Sequence, residues 1–190
     1  MPRREASVTG VIAARRTLVL GGARSGKSAY AEDLLSADAP VRYAATARRR
    51  DDDGEWTGRI AAHRARRPPA WVTVEEPDLV TLLAGTGPGD APLLVDDLVT
   101  WLTAVLDDAG AWGCPEVPPA VGAQVSALVD AVAGCTGRVV LVSAEVGLGV
   151  IPATRAGRLF RDELGLVNAA LARVCDEVLL LVAGLPVRLK

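Results

Sequence analysis

Short apolar runs rich in β-branched residues recur along this chain, each separated from the next by a longer segment with helical spacing. The runs Thr17–Leu20, Val41–Ala45, Trp71–Val74, Leu93–Val95, Val139–Val142, Val178–Val182 and a short Val187–Leu189 read as strands. Between them the pattern predicts helices over Ser28–Leu35, Gly58–Arg66, Leu79–Leu83, Leu98–Leu106, Val121–Val132 and Ala153–Val174. Strands that are apolar at every position, rather than at alternate ones, must be covered on both faces. Alternating with helices, they predict an α/β fold with a mostly parallel sheet and helices on both sides. Only Ala183–Pro186 separates the last two runs, too short a link for a crossover, so an antiparallel C-terminal hairpin is expected. Gly85–Pro92 reads as a surface turn. Asp107–Pro119, with Pro115, Pro118 and Pro119, reads as an irregular excursion over the sheet edge.

Composition narrows the picture. A length of 190 residues suits one domain with a sizeable core, expected over residues 17–190 behind a flexible extension at 1–16. A net charge of −2 gives no electrostatic case for nucleic acid or a membrane surface. Basic clusters at Arg48–Arg50 and Arg64–Arg67 suit either a solvated face or an anion site. No apolar stretch approaches a membrane span. Cys114, Cys135 and Cys175 are odd in number and widely spaced, which suits a reducing compartment. A cytoplasmic location is expected.

The sharpest motif is Gly21–Gly22–Ala23–Arg24–Ser25–Gly26–Lys27–Ser28, a match to G-x-x-x-x-G-K-[ST] between a strand and a helix. Such a loop turns its backbone N–H groups inward around phosphate oxygens. Lys27 would reach the β- and γ-phosphates, and the Ser28 hydroxyl would ligate Mg²⁺. Of 21 lysines and arginines only two are lysine, and one of those two is Lys27. The chain is therefore expected to bind a nucleoside triphosphate. Leu93–Leu94–Val95–Asp96 reads as a companion strand ending in a carboxylate, with Asp96 expected in the Mg²⁺ shell and Asp97 a less favoured substitute.

His63 is the only histidine, with Arg59, Arg64, Arg66 and Arg67 around it. Two readings stand: an ordinary surface imidazole, or a nucleophile beside cations that favour its neutral form and hold an anionic ester.

Beyond the phosphate loop and its trailing Ala31–Glu32, several blocks follow in a fixed order. They are Tyr43–Ala44–Ala45–Thr46–Ala47, Arg59–Ile60–x–x–His63 with Arg67–Pro68 and Trp71, Glu75–Glu76–Pro77, Leu94–Val95–Asp96 and Glu145–Val146–Gly147–Leu148–Gly149–Val150–Ile151–Pro152. Last come Arg155, Arg158, Arg161–Asp162, Gly165 and Asn168, then Asp176–Glu177–Val178. From Leu18 to Lys190 the chain resembles the bifunctional adenosylcobinamide kinase / adenosylcobinamide-phosphate guanylyltransferases of cobalamin (vitamin B12) assembly.

The resemblance implies a P-loop NTPase of RecA-like arrangement, a homotrimer, and two reactions. ATP or GTP would phosphorylate the aminopropanol hydroxyl of adenosylcobinamide. GMP would then pass from GTP to that phosphate through a guanylylated histidine, whose position His63 occupies. Glu145 has two readings, base or metal contact against strand-end cap. Arg155, Arg158 and Arg161 share a slowly drifting helix face, suited to the substrate phosphate or to solvent. Glu75 would orient a nucleotide ribose or simply end its strand. The chain departs from its relatives at Ala104 and Ala144, where they often carry asparagine, and at Asp97, where they usually carry cysteine. Two rival functions use the same loop: another small-molecule kinase, which needs no histidine, and a nucleotide-dependent switch or ATPase that answers to partners.

Overall fold

The computed structural model describes residues 14–48, 67–75 and 77–190. Among the described residues seven strands form one sheet: β1 (Arg16–Gly21), β2 (Val41–Ala45), β3 (Trp71–Glu75), β4 (Leu93–Asp96), β5 (Val139–Ala144), β6 (Glu177–Val182) and β7 (Leu185–Arg188). Their spatial order is β3-β2-β4-β5-β1-β6-β7, parallel throughout except for β7, which runs antiparallel to β6. The described helices are α1 (Lys27–Asp33), α2 (Leu79–Ala84), α3 (Leu98–Asp108), α4 (Pro119–Gly134) and α5 (Arg155–Val174). The expected helix Gly58–Arg66 lies outside the described residues, as do His63, Arg59, Arg64, Arg66 and Glu76.

Strand side chains alternate between two cores, as period-two geometry requires. Leu18, Leu20, Leu93, Val95, Val139 and Leu141 face the layer holding α2, α3, α4 and α5. Val19, Val41, Tyr43, Leu94, Val140 and Val142 face the side that carries Ala31 of α1. Both sets are buried, which explains runs without polar alternation.

The helices start where short polar side chains take up the orphan amides of the first turn. Asp78 accepts from Val80 N (3.1 Å) and Thr81 N (3.3 Å), Asp97 from Thr100 N (3.0 Å), and Thr154 from Gly157 N (3.1 Å). Proline stands at the first position of α4, where its missing N–H costs no bond.

Three expectations need correcting. Strand β1 begins at Arg16, whose N–H and guanidinium both bond the Asp176 carboxylate (2.9 and 2.7 Å). Asp107–Pro119 is no excursion over the sheet edge. Helix α3 continues through Asp108, and a 3₁₀ turn at Ala111–Gly113 packs fully buried Ala111 into the helical layer. The hairpin link is only Ala183–Gly184, because both residues take positive φ (51° and 82°), as a tight primed turn demands. Leu185 and Pro186 therefore belong to β7, with Pro186 opposite Leu181 on the outer strand, where a proline is tolerated.

Asn168 is the one buried polar side chain of α5, 5% exposed, and it fixes the helix to the end of β5. It accepts from Ser143 Oγ (2.6 Å) and donates to the Ala144 carbonyl (2.9 Å). Asn168→Leu keeps the volume and strands both partners, so a loss of about 1–3 kcal/mol is expected. Urea unfolding measures it; an unchanged midpoint would show that the two bonds contribute nothing net.

Candidate active site

The C-terminal edge of a parallel sheet is where ligands bind in open α/β folds. Here β1 delivers the glycine-rich loop to that edge. Gly21 has no room for a side chain: a Cβ would collide with Ser25 Oγ and press on Leu181 O and Cβ of β6 at 3.1 and 3.2 Å. Gly26 adopts φ 88°, a left-handed conformation that costs glycine little, and places the start of α1 at Lys27. Arg24 is also left-handed (φ 57°), while Ser25 N–H closes the loop on Gly22 O at 3.3 Å. Ser25 Oγ is buried with no hydrogen-bond partner among the described residues.

Strand β5 lies between β1 and β4, so the strands bearing the loop and Asp96 are on the order of 10 Å apart. The side chains bridge that gap: Ser28 Oγ donates to Asp96 Oδ1 at 3.1 Å. Two oxygen ligands at adjacent corners of a Mg²⁺ octahedron stand about 2.9 Å apart. Hydroxyl and carboxylate are hard oxygen donors at nearly that spacing, so Ser28 and Asp96 fit the cation that the motif implies. Among the described residues no group of three or more His, Cys, Asp or Glu is gathered at one point, and Mg²⁺ needs none.

The other carboxylate oxygen, Asp96 Oδ2, accepts from the hydroxyl of buried Tyr43. Burial first, then the Asp96 charge and this bond, push the Tyr43 phenol far above its ordinary range, so it stays a donor. Asp97 caps α3, and its carbonyl accepts from Thr46 Oγ1 (2.5 Å) and Thr100 Oγ1 (3.1 Å). Burial, with the Asp96 charge next, raises the Asp97 carboxyl; the Thr100 bonds and the Lys27 ammonium oppose the rise.

Glu145 follows β5 at the same edge. Its N–H donates to Gly21 O (3.1 Å), tying it to the root of the loop, and its Oε1 accepts from Gly147 N (2.8 Å). Glu75 ends β3 with three strands between it and β1, on the order of 19 Å away across the sheet. The three α5 arginines have separate partners. Arg155 donates to Trp112 O (2.9 Å), Arg158 to Pro152 O and Ala153 O (3.0 and 2.8 Å), and Arg161 pairs with Asp162 (2.7 Å). The structure thus gathers Gly21–Ser28, Asp96, Asp97 and Glu145 at one edge.

Comparison with known proteins bears on the same residues. The sequence model of the cobinamide kinase / cobinamide phosphate guanyltransferase family matches residues 17–189. The chain belongs to this family. A bifunctional adenosylcobalamin biosynthesis protein CobP of Pseudomonas aeruginosa is 44% identical over 179 residues, covering 92% of this chain and 97% of that protein. A bifunctional adenosylcobalamin biosynthesis protein CobU of Escherichia coli is 40% identical over 181 residues, 91% of this chain and 98% of its own. Among solved structures, a prototypical type III secretion system ATPase superposes with TM-score 0.50 at 13% identity, over 89% of this chain and 52% of the other. The assembled ATPase EscN of enteropathogenic E. coli gives TM-score 0.50 at 18%, over 90% and 43%. The chain spans about half the length of these ATPases, and at such identity the likeness is one of fold. Among the described residues no helix of this family member is long and apolar enough to cross a membrane.

Proposed function

We propose that this family member carries out two successive transfers on a corrinoid alcohol: phosphorylation with ATP or GTP, then addition of GMP from GTP. What carries the reading is family membership along 17–189, in a chain whose loop and Asp96 fit a nucleotide with its cation.

In the first step the substrate hydroxyl oxygen forms a bond to the γ-phosphorus and the β–γ bridging bond breaks, leaving a nucleoside diphosphate. The hydroxyl proton goes to a carboxylate, for which Glu145 at the root of the loop is the candidate. Loop N–H groups from Gly21 to Ser28 and the Lys27 ammonium neutralise charge on the transferring group. Ser28 and Asp96 would hold Mg²⁺, which would supply further charge neutralisation to the phosphates. In the second step a neutral ring nitrogen of His63 attacks the α-phosphorus of GTP and pyrophosphate leaves. An oxygen of the corrinoid phosphate then attacks that phosphorus, breaking the N–P bond and freeing the imidazole. Arg155, Arg158 and Arg161 are candidates to hold the corrinoid phosphate; this requires exchanging their present carbonyl and carboxylate partners for it. Glu75 is kept as a candidate ribose contact. A homo-oligomer in the cytoplasm completes the proposal.

Incubation with adenosylcobinamide, GTP and Mg²⁺, followed by mass analysis of the corrinoid, tests it. Phosphate and then GDP derivatives are expected in sequence. GTP hydrolysis that ignores the corrinoid and yields neither product would overturn the reading in favour of a nucleotide-dependent switch.

A further inference from the structure

Tyr43 sits in the middle of β2, between Thr73 of β3 and Leu94 of β4, and is 1% exposed. A buried phenol must find a partner for its hydroxyl or lose the water it left. Its partner is Asp96 Oδ2, the oxygen that Ser28 does not use. The ring is fixed from outside. The Arg67 guanidinium lies 3.6 Å from its centroid, and the Trp71 ring packs at 6.3 Å with a 35° tilt. Both neighbours are themselves held, Arg67 NH1 by Thr73 Oγ1 (2.9 Å) and Trp71 Nε1–H by Ser36 O (3.1 Å).

A carboxylate turns easily about its last torsion, whose energy wells are broad. One oxygen held by a rigid phenol leaves the other with one direction, and here that direction is Ser28. We infer that Tyr43 is a positioning residue for the nucleotide-linked cation, aiming Asp96 through its hydroxyl while the Arg67 stack keeps the ring in place. The inference rests on the reading of Asp96 as a cation contact. It adds a residue that acts through Asp96 and touches neither nucleotide nor metal. Supporting partners of this kind change metal affinity by 10–100-fold when removed.

Tyr43→Phe keeps the ring, its packing and the Arg67 stack, and deletes only the hydroxyl. Binding of a fluorescent GTP analogue is followed as Mg²⁺ is titrated, and again in EDTA. Affinity in EDTA should match wild type within about twofold, while the Mg²⁺ concentration for half-maximal tightening rises about tenfold. In the double variant with Asp96→Asn, Tyr43→Phe should add no further shift, since its effect passes through that carboxylate. Unchanged Mg²⁺ dependence in folded Tyr43→Phe, or a full additional shift on top of Asp96→Asn, would overturn the inference. Wild type with no Mg²⁺ tightening at all would instead remove the reading of Asp96. Should Tyr43→Phe not fold, Arg67→Gln loosens the ring from outside; a smaller shift in the same direction is expected, and none would count against the role.

Discussion

His63→Ala is expected to end GMP transfer while the phosphorylated corrinoid still forms and accumulates. An alanine offers no atom to carry the nucleotidyl group, and loss of a covalent nucleophile removes most of its step; a fall of at least about 10⁴-fold is the scale. Intact-protein mass measurement after exposure to GTP and Mg²⁺ reads the intermediate directly. Wild type should gain one GMP, labile in acid as an N–P bond is, and the variant none. The same variant separates the rivals, because a kinase without a covalent step keeps all its activity. GMP transfer that survives in His63→Ala ends the covalent mechanism.

Lys27→Ala is the second large effect, and it falls on the other step. Lys27 supplies a compact positive charge at the start of α1, where the proposed mechanism puts the transferring phosphoryl group. Removing such a group costs on the order of 10³-fold in rate. The side chain is half-exposed and outside the core, so the thermal midpoint should hold while phosphorylation fails. Phosphorylation within tenfold of wild type would put the nucleotide elsewhere. The GMP adduct in this variant answers a further question. If it disappears together with phosphorylation, one nucleotide site serves both steps; if it persists, His63 draws on a second.

The two-sided burial of the sheet was legible because residues such as Val139–Val142 are apolar without interruption, and no half-solvated strand reads that way. The phosphate loop was legible because its residues are contiguous. Spatial order was not. Nothing in the local pattern states that β5 separates β1 from β4, so the reach of Ser28 to Asp96 emerges only in three dimensions. Tyr43 belonged to a recognisable block without a stated task, since its partner lies 53 residues away. One signal was available: a hydroxyl in a strand buried on both faces needs a partner. The three-residue spacing of Arg155, Arg158 and Arg161 gave a common face, but not the carbonyls that Arg155 and Arg158 bond. The two-residue turn was hidden because Ala183 pays for a positive φ that asparagine or glycine would have advertised.

Strands packed on both sides also constrain how the gene can vary in length. In Leu93–Asp96 successive side chains alternate between the two cores, and the last one meets the Ser28 hydroxyl. Adding or removing one codon there would exchange the two cores along the strand and turn Asp96 away from Ser28. Natural length differences should therefore gather in connections such as 85–92 and 114–118, and strand-interior indels should be purged even where every new residue is apolar.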